Sequence, residues 1–115
     1  NNSTSNQVNV VIGVAETLVY LFLGQLIRQS AATGVAQIGV GYDSTTTPDT
    51  GLIATTGLVA VANAFDYIAT SMSAYPAIGY HYYAWLERGG GSGTNTWYSS
   101  DGVTRAHGLM GFMNA

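Results

Sequence analysis

The clearest pattern along the chain is an alternation of apolar positions with polar or glycine positions, which is typical of β-strands that bury one face. The alternation is strongest in two segments, Val35–Asp43 and Ile78–Glu87. One face of the first segment carries Ala36, Ile38, Val40 and Tyr42. The other face carries Gly39 and Gly41, which leave the backbone uncovered. We therefore expect the four apolar residues in a core and a close neighbour against the two glycines.

Further segments are rich in Val, Ile, Tyr and Thr and are separated by turn residues, at spacings of roughly 8–12 residues. They are Gln7–Val14, Thr17–Gln29, Leu52–Ala64, Phe65–Tyr75, Thr94–Ser99 and Leu109–Asn114. Thr17–Gln29 is apolar on every side, so a three-turn helix also fits it, but its valine, tyrosine and phenylalanine favour a strand. About seven or eight such strands predict an all-β fold, an antiparallel β-sandwich or jelly roll.

The length of 115 residues suits one ordinary domain. We interpret residues 1–7 as a polar linker from a longer chain, because the first six are all Asn, Ser or Thr. Residues 8–115 are then a single β-sandwich domain. The longest strongly apolar run, Leu18–Leu23, is too short to cross a bilayer, so we expect no membrane insertion.

Charged residues make up only 8% of the chain, against roughly 25% in an average soluble domain. Three cationic residues cannot neutralise the many phosphates of a nucleic acid, so we exclude nucleic-acid binding. Charge is also the usual protection of a sheet against edge-to-edge pairing. A β-protein with so few charges can cover its edges by assembling with its own copies, and we predict a homotrimer.

Residues that could carry catalysis or bind a metal are sparse. The chain has no cysteine, and two histidines, His81 and His107, cannot make a three-histidine zinc site. A Ser–His–Asp triad can be drawn on paper, but the G-x-S-x-G elbow of hydrolases is missing. Asp43 and Asp49 among threonines are a weak calcium signal. We expect no enzyme activity, no metal and no cofactor.

An aromatic cluster surrounds the glycine-rich segment Gly89–Gly93. If the strands on either side pair as a hairpin, one face carries Tyr83, Trp85 and either Trp97 or Tyr98. Exposed Trp and Tyr beside polar groups can form a platform for sugar rings or peptides, although large aromatic residues are more often core or subunit packing. The candidate ligand-binding residues are Trp85, Trp97, Tyr83, Tyr98, His81 and Asn95.

Two stretches together resemble the small β-sandwich heads at the ends of bacteriophage tail fibres and tailspikes. They are Ile38–Thr46 and Tyr80–Glu87, the second leading into Thr94–Tyr98. The likeness covers residues 8–115 and is one of general composition and strand pattern. It consists of short strands rich in Gly, Thr and Tyr, few charges, no cysteine and a polar linker. No residue matches a family's binding motif, so no functional residue is carried over from it.

The resemblance implies a trimeric jelly roll, similar in shape to tumour-necrosis-factor-like modules. Such heads bind glycans or proteins on the host surface, or they cap and trimerise a fibre. We therefore expect a receptor-binding head of a viral fibre or spike, located outside cells at the virion tip, with a host-surface carbohydrate as ligand. Two alternatives stay open: a structural virion module without a ligand, such as a trimerisation cap or decoration protein, and a bacterial lectin or adhesin domain.

Overall fold

The chain folds into antiparallel β-sheets, and the structure, a computed structural model, describes residues 6–14, 17–32, 34–49, 55–59, 62–90, 93–98 and 108–114. These ranges contain eight strands and no helical element. The strands are β1 (Gln7–Ile12), β2 (Val19–Gln29), β3 (Gly34–Tyr42), β4 (Thr55–Val59), β5 (Phe65–Ala74), β6 (Gly79–Gly90), β7 (Asn95–Tyr98) and β8 (Gly108–Met113). The predicted all-β fold is confirmed, and the ambiguous segment Thr17–Gln29 forms a strand. Residues 1–5 of the predicted linker 1–7 lie outside the described residues, and its last residue, Gln7, begins β1.

The strands form two sheets of four. Sheet A has the order β1-β6-β3-β4, and every pair in it is antiparallel. In sheet B, β2 is central: β5 pairs with one side of it, while β7 and β8 share the other side. β7 pairs with residues 26–29 of β2, and β8 pairs with residues 19–24. The long β2 therefore organises this whole sheet.

The core draws side chains from both sheets. Residues that lie opposite each other on antiparallel strands point to the same face, so the register defines which residues point inward. The buried core contains Ile12, Val19, Leu21, Leu23, Ile27, Ala36, Ile38, Val40, Ile68, Met72 and Tyr83. The alternation in β3 is thus confirmed: Ala36, Ile38 and Val40 are buried, and Tyr42 packs against the same cluster.

The glycine face of β3 is covered by the segment that follows the strand. β4 pairs only with residues 34–38 of β3, which leaves the Val40 carbonyl oxygen free to accept a hydrogen bond from the Asp49 amide at 3.1 Å. A methyl group added at Gly41 would overlap the Ser44 carbonyl oxygen, and one added at Gly39 would touch Pro48 at 3.4 Å. The predicted close neighbour is this returning segment, so glycine is required at Gly41 for backbone approach.

The predicted hairpin between Tyr80 and Tyr98 is wrong. β6 continues through Gly89 and Gly90 and pairs with β1 and β3 in sheet A, whereas β7 pairs with β2 in sheet B. The glycine-rich segment between β6 and β7 therefore does not bring these two strands into one sheet. In the part of the chain that the structure describes, no helix is long and apolar enough to cross a membrane.

Candidate functional site

Three of the predicted ligand residues, Tyr83, Trp85 and Trp97, point into the protein. Tyr83 is opposite Tyr42, with 0% of its surface exposed. Trp85 of sheet A and Trp97 of sheet B are partly buried and pack against the core cluster. A fully buried side chain is closed to a surface ligand in this conformation, so the structure gives Tyr83 a packing role. Each tryptophan lies on the inner side of its own sheet, so both point toward the interior.

Asn95 connects the two sheets. Its side-chain amide donates to the Val35 carbonyl oxygen of β3 at 3.1 Å, and its side-chain oxygen accepts a hydrogen bond from Gln29 of β2. Gln29 is buried, and a buried amide that loses its partner is costly. The contacts of Asn95 are therefore those of an inter-sheet support.

His81 lies in a polar cluster where β3 ends. Its Nε2 is 2.9 Å from the Ala77 carbonyl oxygen, and its Nδ1 is 2.7 Å from an Asp43 carboxylate oxygen. The Tyr42 hydroxyl is 2.9 Å from the same Nδ1, and the two rings lie 4.9 Å apart between centroids. Both ring nitrogens therefore lie within hydrogen-bond distance of oxygen atoms, which holds the ring from two sides.

Asp43 fastens the turn after β3. Its φ of 49° lies in the left-handed region, which Asp and Asn tolerate, and its carboxylate accepts hydrogen bonds from His81 and from the Tyr82 amide. Partial burial raises the pKa of the Asp43 carboxyl, but these hydrogen bonds outweigh burial and lower the pKa below its ordinary value. The ionised carboxylate thus stabilises the turn.

We expect Asp43→Asn to lower the free energy of unfolding at neutral pH, since asparagine keeps the backbone conformation but loses the charge beside His81. A lowered carboxyl pKa contributes stability above the unfolded value, about 3.9, that is lost as the pH falls through the folded value. The difference between wild type and variant should therefore shrink in acid. Urea unfolding at neutral and acid pH measures it, with Asp66→Asn as the control. A difference that stays constant with pH contradicts this assignment.

Tyr98, the remaining predicted ligand residue, lies on a surface that the sequence did not single out. The even-numbered residues of β2 point away from the core, and so do the residues opposite them on β5, β7 and β8. We call this outer side of sheet B the aromatic face. Its aromatic and large apolar members are Tyr20, Phe22, Leu26, Phe65, Tyr67, Tyr98, Met110 and Phe112.

The aromatic face has its own local packing. Leu26 is only 8% exposed although it points outward, because Tyr67 and Tyr98 lie opposite it on the two neighbouring strands. The Tyr67 ring lies over Gly24, where an added methyl group would overlap its hydroxyl. Tyr67 and Tyr98 therefore pack against this face of the sheet, which favours a preformed surface around Leu26.

One end of this face combines rings with polar groups. We call it the arginine end, formed by Arg28, Asn63, Phe65 and Tyr98. The Phe65 and Tyr98 ring centroids are 5.4 Å apart, and the Arg28 guanidinium lies 5.9 Å from the Phe65 centroid. Arg28 also donates to the Asn63 side-chain oxygen at 3.0 Å. Phe65 remains 60% exposed, so a rigid ring is available beside hydrogen-bonding groups.

The other end is apolar. We call it the apolar end, formed by Tyr20, Phe22, Met110 and Phe112. The Tyr20 and Phe112 rings are stacked, with centroids 5.2 Å apart and planes inclined by 23°. Phe112 is 59% exposed and Met110 is 42% exposed. Exposed apolar groups that form one contiguous patch are typical of interaction surfaces.

The described residues contain no group of three or more His, Cys, Asp or Glu side chains that could hold a metal ion. Asp43, one of the two aspartates behind the weak calcium signal, accepts hydrogen bonds from His81 and from the Tyr82 amide. The aromatic face offers stacking area and hydrogen-bond donors, which is the chemistry of non-covalent recognition.

No protein-family model, curated protein or solved structure matches this chain.

Sequence reasoning missed the aromatic face, although a signal for it was present. β2 is apolar on both of its faces, which indicates cover on both sides. Phe65 and Tyr67 are two residues apart on β5 and so point to the same face, and the same is true of Met110 and Phe112 on β8. Only the pairing with β2 brings these residues together, and the pairing was not readable from any one segment.

Proposed function

We propose that this chain is the head module of a viral fibre or spike, which recognises a neutral carbohydrate on the host surface without catalysing a reaction. In this proposal it is a β-sandwich of the jelly-roll type that assembles as a homotrimer at the virion tip, outside the cell. The observation that carries the recognition is the arginine end, where the exposed Phe65 ring lies beside Arg28, Asn63 and Tyr98.

A sugar ring has apolar C–H faces and a rim of hydroxyl groups. The face of Phe65 suits the first, and the guanidinium of Arg28, the amide of Asn63 and the phenol of Tyr98 suit the second. Tyr98 belongs to the residues predicted from the sequence, while the proposal replaces Trp85 and Trp97 by Phe65 as the stacking ring. Because the ligand is neutral, its binding should depend only weakly on salt.

We expect Phe65→Ala to weaken binding to host cells, and to neutral oligosaccharides on a glycan array, by about 1–3 kcal/mol, because it removes a central stacking surface. Arg28→Gln should weaken binding less, since glutamine retains an amide donor. Tyr80→Ala is the matched control, because Tyr80 is equally exposed on the outer face of sheet A. Circular dichroism checks that each variant is folded.

Unchanged binding by folded Phe65→Ala contradicts this site. If the wild-type protein binds neither cells nor glycans, the module is a structural part of a virion, such as a trimerisation cap or decoration protein. If it binds glycans as a monomer, the bacterial lectin or adhesin alternative is favoured.

A further inference from the structure

The apolar end continues around a corner of the molecule. β8 lies at one edge of sheet B, and β1 lies at one edge of sheet A; among the described residues, each has a strand partner on one side only. A cleft of about 310 Å³ lies between these two edge strands. Val8 and Val10 line one wall, and Leu21, Phe112 and Met113 line the other. Phe112 thus belongs both to the aromatic face and to the mouth of the cleft.

Neither edge strand carries a protecting residue. β1 has the sequence QVNVVI and β8 has the sequence GLMGFM, so both lack charged residues and proline. Such edges present unpaired backbone N–H and C=O groups beside apolar side chains, which is a template for pairing with another chain. Two unprotected edges side by side indicate that this side of the molecule is covered in the working protein.

We propose that a second copy of this chain docks on this corner, which consists of the apolar end together with the β1–β8 cleft. The inference deepens the proposed function, since it rests on the same assembly and names its contact surface. A neutral, apolar surface offers nothing to a charged partner, while two copies meet without charge repulsion. The edge backbone of β8 can also pair with the edge strand β1 of the next copy.

The size of the corner agrees with this occupant. From strand rise and spacing, the apolar end covers roughly 300 Å² and the cleft side, one sheet spacing deep, covers roughly 200 Å². In a closed ring the apolar end of one copy meets the cleft side of the next, so each contact buries roughly 500 Å² and the three contacts of a trimer bury roughly 1,500 Å² together. Two adjoining surfaces also let each copy touch two neighbours, as a closed ring such as a trimer requires; a single flat patch would be used up in a dimer.

Light scattering tests the proposal at micromolar concentration. The wild-type protein should have a mass that is a multiple of 12.0 kDa, and Phe112→Lys should have the monomer mass, because a lysine at the contact would be buried without a partner. Tyr80→Lys, with an equally exposed position on the outer face of sheet A, should keep the wild-type mass. A wild-type monomer, or an unchanged assembly in Phe112→Lys, overturns the proposal.

Cysteine cross-linking keeps the test decisive if the lysine variant does not fold. The chain has no cysteine, so Phe112→Cys introduces a single thiol. Mild oxidation should convert folded Phe112→Cys to disulfide-linked dimers, while Tyr80→Cys should stay monomeric on a denaturing gel. Equal cross-linking of both variants contradicts a specific contact at the corner.

Glycan binding is measured on the same samples, so the two ideas fail separately. If the wild-type protein assembles but binds no glycan, the docking corner is supported and the recognition proposal is contradicted. A monomeric Phe112→Lys that still binds oligosaccharide shows that recognition at the arginine end survives without assembly.

Discussion

Tyr83→Ala is expected to lower the free energy of unfolding by about 3–5 kcal/mol, the usual cost of removing a large buried aromatic side chain. Tyr83 is completely buried, and its ring lies 5.4 Å from that of Tyr42. β1 and β3 pair with β6 on its two sides and hold the neighbouring residues in place. These residues therefore cannot move in to fill the cavity that the substitution leaves. Since small domains are stable by only about 5–15 kcal/mol, much of the chain should then unfold under mild denaturant.

Tyr83→Phe is the matched control and should change stability little. The Tyr83 hydroxyl is buried, and among the described residues it has no hydrogen-bond partner, so its removal leaves no orphaned group behind. Urea unfolding of both variants measures the contrast. A large loss in Tyr83→Phe would reveal a partner for the hydroxyl and contradict the packing role.

Wild type and Tyr83→Phe should also differ in stability at alkaline pH. Burial raises the pKa of the Tyr83 phenol to about 12, from an ordinary value of about 10. The unfolded chain therefore releases this proton first, and stability falls as the pH rises from the unfolded towards the folded value. Tyr83→Phe lacks this phenol, so the stability difference between it and wild type should move in favour of the variant above about pH 10.

Gly41→Val should destabilise the protein by about 1–3 kcal/mol, as expected for overpacking. An added side chain meets the Ser44 carbonyl oxygen, and the Thr47 carbonyl oxygen lies 3.1 Å from the position of the new methyl group. Both obstacles are backbone atoms of the returning segment, which cannot turn away as a flexible side chain can. The segment must therefore leave β3, and its bond from Asp49 to Val40 would be lost.

Gly39→Ala, two residues away on the same face, is the control for this prediction. There an added methyl group meets only the Pro48 side chain at 3.4 Å, close to ordinary contact, so stability should stay near that of wild type. Thermal and urea unfolding measure both variants. Equal stability of Gly41→Val and wild type would show that the returning segment does not rest on β3.

The strands could be predicted because their signal is local. Alternation in β3 identified both its buried face and its glycine face, and the predicted strand from Phe65 ends within a residue of the observed β5. Pro76, which has no amide hydrogen to pair, follows this segment. The described part of the predicted strand segment Leu52–Ala64 contains β4.

The candidate site could not be predicted in the same way, because it depends on pairing. Trp85 and Trp97 face the interior only because β6 and β7 belong to different sheets, and nothing in the glycine-rich connection encodes that choice. Phe65 and Tyr98 are distant in sequence and meet across β2. Alternation defines which residues share a strand face, but the partners of that face are a property of the whole chain.

The division of one side of β2 between β7 and β8 has a consequence for how this protein can vary. β7 ends at Tyr98 opposite Leu26, and β8 begins at Gly108 opposite Gly24. The end of β7 and the start of β8 therefore lie on the same edge of β2, about 7 Å apart along it. Because β2 holds both strands in register, the connection between them can be lengthened or exchanged at low entropic cost. It is the natural place to graft a foreign peptide for display.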